Sequence, residues 1–178
     1  MGAPVSTGIW KLRCDVRRYS TAVLVDDEDN QRATEFDGRS HVDTWRPMHT
    51  AVSSEGERGD FLYLFPTLLG VGKTASQVLA PLAGRELELL PVEDATGDIA
   101  ALVNFTNVLD ALDEPASELR RFSSGRVMQV TKYAFRPALV GNAHVFRVPQ
   151  VLTVIFATLR FKELVADAGL TGLLFEQL

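Results

Sequence analysis

Short runs in which apolar residues alternate with polar ones, or stand in blocks of three to five, dominate this chain and predict strands. "IWKLRCD" from Ile9 and "STAVLVD" from Ser20 read as two strands able to pair antiparallel around the polar "VRRYS". A charged stretch follows from Asp26 to Ser40, and His41 to Asp60, with Pro47 and the polar "SSEGERGD", reads as a loop. "FLYLF" at Phe61 to Phe65 is a buried strand stopped by Pro66. "RELELLPVE" sets Leu87 and Leu89 against Glu86 and Glu88, a half-exposed strand whose glutamates face solvent and which ends near Pro91. "IAALVNFTNVL", "RVMQVTKYAF", "AHVFRV" and "LTVIFAT" supply the later strands.

Helical spacing is scarcer. "KTASQVLAPLAG" aligns Ala75, Val78, Leu79 and Leu82 on one face, with Pro81 kinking or ending the helix and Gly84 behind it. Asp113 stands where it would cap a short helix over "EPASELRRF", with Pro115 in the first turn. The closing "FKELVADAGLTGLLFEQL" is the clearest pattern. Thr158 is its N-cap, Phe161, Leu164, Val165 and Ala168 form the inner face, and Arg160, Lys162, Glu163 and Asp167 the outer one. Gly169 suits a C′ residue at positive φ, and Gly172 turns the chain into "LLFEQL", a strand tied into the sheet. Helices do not alternate regularly with strands, and no repeat is visible. The pattern predicts an α+β fold: a single mixed domain over residues 1–178, with a largely antiparallel sheet, a few short helices and a C-terminal helix followed by a terminal strand.

Composition supports an ordinary globular core, with 46% hydrophobic and 23% charged residues in a chain of 178. The net charge of −5 and the scatter of basic residues argue against a nucleic-acid partner. No segment reaches the roughly 18 apolar residues of a membrane span. The first residues lack the pattern of a secretory signal, so the expectation is a cytoplasmic protein without membrane contact. Gly2 and Ser6 fit a permissive myristoylation pattern and read as coincidence. Cys14, the single cysteine, alternates with Leu12 and Val16 and reads as a small core hydrophobe in preference to a nucleophile.

Motifs with chemical potential weaken under inspection. "GVGKT" at Gly70 to Thr74 follows a strand and opens a helix as a phosphate-binding loop does. The full pattern needs a glycine five positions before Gly72, where Thr67 stands, so a turn with Thr74 near the N-cap is the better reading. His41, Asp43 and His49 match no metal-ligand spacing, and Ser40, His41 and Asp43 are too close in sequence for a triad whose members meet from separate segments. The expectation is no enzyme activity, no metal and no cofactor.

The features that do carry a resemblance are "LELLPVE" at Leu87 to Glu93, "HVFRV" at His144 to Val148 and, above all, the closing segment from Phe161 to Leu178. In these the chain resembles the type-eleven (MXAN-type) immunity family of bacterial polymorphic-toxin systems, most strongly from Thr74 to the end. The resemblance implies a non-enzymatic protein that binds a cognate toxin and blocks it by stoichiometric occlusion. If that toxin is a nuclease with a basic cleft, the acidic run Asp26, Asp27, Glu28 and Asp29 is the candidate partner-binding segment, steering the encounter or mimicking phosphates. Two alternatives stand beside it: a small P-loop-like nucleotide-binding enzyme built on "GVGKT", and a non-inhibitory chaperone or adaptor for a secreted effector.

Overall fold

The structure, a computed structural model, describes residues 8–53 and 55–178; Gly2 and Ser6 of the myristoylation pattern lie outside the described residues. In chain order the strands are β1 (Ile9–Cys14), β2 (Ala22–Leu24), β3 (His49–Val52), β4 (Phe61–Phe65), β5 (Leu68–Val71), β6 (Leu87–Pro91), β7 (Glu93–Asp94), β8 (Ala101–Phe105), β9 (Glu118–Arg121), β10 (Val127–Lys132), β11 (Val145–Phe146), β12 (Phe156–Thr158) and β13 (Leu173–Gln177). The helices are α1 (Asp27–Arg32), α2 (Lys73–Leu79), α3 (Pro137–Val140) and α4 (Leu159–Asp167). The fold is α+β, and its sheets are mostly antiparallel.

An antiparallel sheet of order β4-β5-β8-β6 lies at the centre because its strands are apolar on both faces. Period-two geometry sends Phe61, Leu69, Val71, Leu87, Val103 and Phe105 to one side. Leu62, Leu64, Leu68, Leu90 and Leu102 go to the other. The first side packs on a second antiparallel sheet, β11-β12-β1-β13, through Leu12, Val145, Ile155 and Ala157, with Phe161 and Val165 of α4 and Ala75 and Leu79 of α2 closing the core. The second side is covered by Ala22, Ala33, Phe36, Met48 and Val52 from the N-terminal region. A third cluster, around Leu112, Val130, Phe146 and Phe156, seats the two-stranded β9–β10 ribbon.

Several expectations need correction. β1 and β2 do not pair: β1 lies between β12 and β13, and β2 pairs with β3 in a separate sheet. The polar "VRRYS" carries the chain between sheets, where Tyr19 bridges to Glu57 and the Ser20 N–H donates to the Glu57 carbonyl at 2.9 Å. The charged stretch forms α1, and the expected loop holds β3, which alternates Thr50 and Val52 inward with His49 and Ala51, a pattern too polar to register as a strand. "EPASELRRF" makes a single 3-10 turn at Glu114–Ala116 and then becomes β9, because the hairpin closed at Gly125 (φ 82) pairs Leu119 with Val130. The helix at residue 73 follows Gly72 as its N-cap and ends as expected before Pro81, with Val78 only partly buried.

The C-terminal segment follows its pattern closely. Gly169 (φ 65) ends α4, and Gly172 (φ 102) turns the chain into β13, which pairs antiparallel with β1 from Trp10↔Gln177 to Cys14↔Leu173. Thr158 holds the N-cap position, but its hydroxyl donates to the Ala143 carbonyl at 2.7 Å instead of capping the helix, and Ala168 is exposed. Deleting Leu173 to Leu178 strips β1 of one neighbour and is expected to lower the melting temperature; an unchanged value would refute the structural role of β13. A second expectation concerns Gly172→Ala. It sets a side chain at positive φ and a Cβ 2.3 Å from the Phe61 carbonyl oxygen, so urea midpoints should fall well below those of Gly84→Ala, where the same positive φ meets open space.

Candidate functional site

The acidic run opens α1, where carboxylates complement the positive end of the helix. A helical turn separates its four members. Asp26, Asp27 and Glu28 are exposed, whereas Asp29 is 5% exposed and turned inward. Asp29 accepts from Arg32 at 2.7 Å and from the His49 N–H at 2.8 Å, fastening α1 to β3. Glu28 pairs with Arg46 at 2.9 Å.

The parallel pairing of β3 with β7 sets His49 beside Glu93 and Thr50 beside Asp94. His49 Nδ1 lies 2.7 Å from Asp26 and Nε2 lies 2.9 Å from Glu93, so the imidazole bridges the helix to the strand. The Thr50 hydroxyl donates to Asp94 at 2.9 Å. Together Val25, Asp26, His49, Thr50, Glu93 and Asp94 line an open groove of about 530 Å³ whose rim carries carboxylates. Such a groove suits a cationic side chain of a partner better than a small substrate, since it is shallow and holds no nucleophile beside a base.

Glu86 and Glu88 do not form a solvated edge, and this corrects the sequence reading. Glu88 is 8% exposed and faces Asn104 across β6 and β8, where Asn104 Nδ2 donates to it at 3.0 Å. The Ser40 hydroxyl and the His41 N–H also donate to it, which pins residues 39–41 over the sheet. Burial is the largest single influence on this carboxyl and opposes its ionisation; the donors from Ser40, His41, Asn104 and Val42 together outweigh it and hold the group below its ordinary value. Glu86 accepts from the backbone N–H groups of His144 at 2.7 Å and Val145 at 2.9 Å.

The other motifs resolve into structure. Leu68 to Val71 is a strand bonded on both sides, so a sheet occupies the place of a phosphate loop, and the Gly72 N–H donates to the Asp60 carbonyl at 3.0 Å. Thr74 sits one residue inside α2, after Gly72 and Lys73. His41 stacks on Phe36 with ring centroids 4.4 Å apart, Ser40 is bonded to Glu88 and Asp43 is exposed, so neither the triad nor the His41, Asp43, His49 set assembles. The geometry instead gathers Asp26, Asp29 and His49 with ligand atoms within 4.8 Å, groups already joined to protein partners. Burial pushes the Cys14 thiol up to about 12, which keeps it protonated and unreactive. Among the described residues no helix is long and apolar enough to cross a membrane.

The geometry therefore combines an exposed acidic groove with an interior pinned by buried hydrogen-bonded polar groups. Residues 94–178 match the Imm11 immunity protein family. The Imm11 match contains "HVFRV" and the whole closing segment, while "LELLPVE" precedes it. It begins at Asp94, on one wall of the groove, so α1 and its acidic run lie outside the matched residues. No curated protein matches the chain.

The Glu88 network makes a testable claim. Because its folded carboxyl titrates below the ordinary value of 4.5, its stabilisation is present in full above that value and is lost as pH falls through the folded one. Glu88→Gln is expected to lose about 1 to 3 kcal/mol at pH 7 by urea denaturation, and the gap to the parent protein should close as the pH is lowered below 4.5 and the carboxyl protonates. A gap independent of pH would show that the ionised carboxylate is not what holds residues 39–41.

Proposed function

We propose that this chain is an immunity protein that binds a cognate bacterial toxin and neutralises it by stoichiometric occlusion, protecting the producing cell and its kin. The observation that carries this reading is the Imm11 match over residues 94–178. It acts in the cytoplasm, as a binding protein and not an enzyme, and needs no cofactor.

The acidic face of α1 is the proposed contact. Asp26, Asp27 and Glu28 project from it, and Asp29 holds it in place from below through Arg32 and the His49 backbone. With Glu93 beside them, these carboxylates would meet the basic cleft of a nuclease toxin, where complementary charge raises the association rate and orients the complex.

Co-expression with the product of the adjacent gene tests the reading. Cell survival together with a one-to-one co-purified complex is expected. A complex without rescue would mark an adaptor, and loss of both, with nucleotide-dependent thermal stabilisation that Lys73→Ala abolishes, would mark a nucleotide-binding enzyme. Replacing Asp26, Asp27 and Glu28 by lysine while leaving Asp29 intact should slow association by about tenfold or more at low salt, with the difference shrinking as salt is added.

A further inference from the structure

The β9–β10 ribbon differs from the rest of the surface in three ways. It forms a sheet of only two strands, so among the described residues β9 pairs with β10 alone and its other edge is open. It is cationic within an anionic chain: residues 118–132 contain Arg120, Arg121, Arg126 and Lys132 against Glu118, while the chain as a whole carries −5. Finally, where the exposed large apolar side chains elsewhere among the described residues are valines and leucines, the ribbon presents an aromatic ring and a thioether, Phe122 at 43% and Met128 at 46% accessible.

The pairing of its cations sharpens the contrast. Elsewhere several arginines are answered by carboxylates, as Arg13 is by Glu176, Arg18 by Glu57, Arg39 by Asp37 and Arg58 by Asp98, while Arg85 and Arg160 donate to the neutral acceptors Pro81 and Asn142. On the ribbon Arg121 is joined to Glu114, but Arg120, Arg126 and Lys132 are exposed and form no ion pair among the described residues. The Arg126 guanidinium lies over the Phe122 ring at 5.1 Å, which holds charge and apolar surface together. A register shift between Val127 and Gln129 brackets Met128. Phe122, Arg126 and Met128 form one wall of an open groove of about 540 Å³, and Gln150 to Thr153 form the facing one.

Unpaired cations, aromatic and methionine surface and an open strand edge are the properties of a protein-binding face. We infer that the β9–β10 ribbon and its groove are a docking site for an extended acidic segment of a protein partner. The segment's carboxylates face Arg120, Arg126 and Lys132, its apolar side chains enter the groove beside Phe122 and Met128, and its backbone lies along β9. This face is distinct from the acidic one on α1 and opposite in sign, and the inference stands whether or not the partner is a toxin.

The full chain, isotopically labelled, is titrated by NMR with a synthetic ten-residue peptide alternating glutamate and valine. Shift changes confined to residues 118–132 and 149–153 are expected, weakening with salt, and Arg120→Glu with Arg126→Glu should reduce affinity by about tenfold or more while the free variant keeps its dispersed spectrum. A Phe122→Ser variant, which leaves every charge in place, should also bind more weakly. Equal binding of a lysine–valine peptide, changes centred elsewhere, no binding at millimolar peptide, or the same changes with a single-stranded oligonucleotide would each overturn the assignment. If the ribbon variant loses the peptide yet still rescues cells from the toxin, the ribbon site stands and toxin neutralisation runs through another face.

Discussion

A fully buried guanidinium sets the terms for much of this molecule. Arg147 is 0% exposed and has no carboxylate bonded to it; it donates to the carbonyls of Phe36 at 3.1 Å, Thr67 at 3.0 Å and Leu152 at 2.8 Å. Burial lowers its pKa to about 10, with Asp37 opposing the shift, so it remains charged at neutral pH. Removing such an ion from water costs several kcal/mol unless fixed dipoles replace the hydration shell. Here those dipoles come from three segments far apart in sequence, so the charge is tolerable only when the turn after α1, the β4–β5 hairpin and the turn at residues 149–152 have all converged. The Arg147 N–H, donating to Asn107 at 2.8 Å, ties its own backbone to the same assembly.

The glutamates extend this logic across the boundary of the family match. Glu88 accepts from Asn104 inside the match while holding residues 40–41 before it, and Glu86 reaches into residues 144–145. The matched residues also share both four-stranded sheets with the residues before them: β8 lies between β5 and β6, and β1 lies between β12 and β13. Residues 94–178 are therefore completed by strands from outside the match. The acidic helix α1 lies in the segment before the matched residues.

What was legible in the sequence followed from period and punctuation. The closing helix and strand were readable because Phe161 and Val165 repeat at helical spacing and Gly169 and Gly172 occupy positive φ. "FLYLF" and "ALVNF" were readable as strands because both faces are buried. Partner choice was not: pairing β1 with its sequence neighbour β2 was reasonable locally, but the long-range register with β12 and β13 won. The polar pins were missed for the opposite reason. Asn104 within "ALVNF", Arg147 within "HVFRV" and Glu88 within "LELLP" are polar residues inside apolar strands, and that interruption was the available signal for buried hydrogen-bonded groups. Nothing in the spacing of His49 and Glu93 announced their contact, which depends on the parallel register of β3 and β7.

The acidic run shows why local and recognition roles need separate physical accounts. Carboxylates at the start of α1 are favoured by the helix ends alone, so their presence does not by itself imply a partner. Helical rotation then divides them, since a residue directed inward at Asp29 leaves its three predecessors on other sides of the turn. Asp29 is consumed by Arg32 and the His49 backbone, and its loss would loosen α1 from β3. Glu28 meets an exposed Arg46, a pairing that water and salt screen heavily, so its loss costs the fold little. A surface whose anchoring charge is buried and whose outward charges are weakly held can exchange its exposed ion pairs without unfolding.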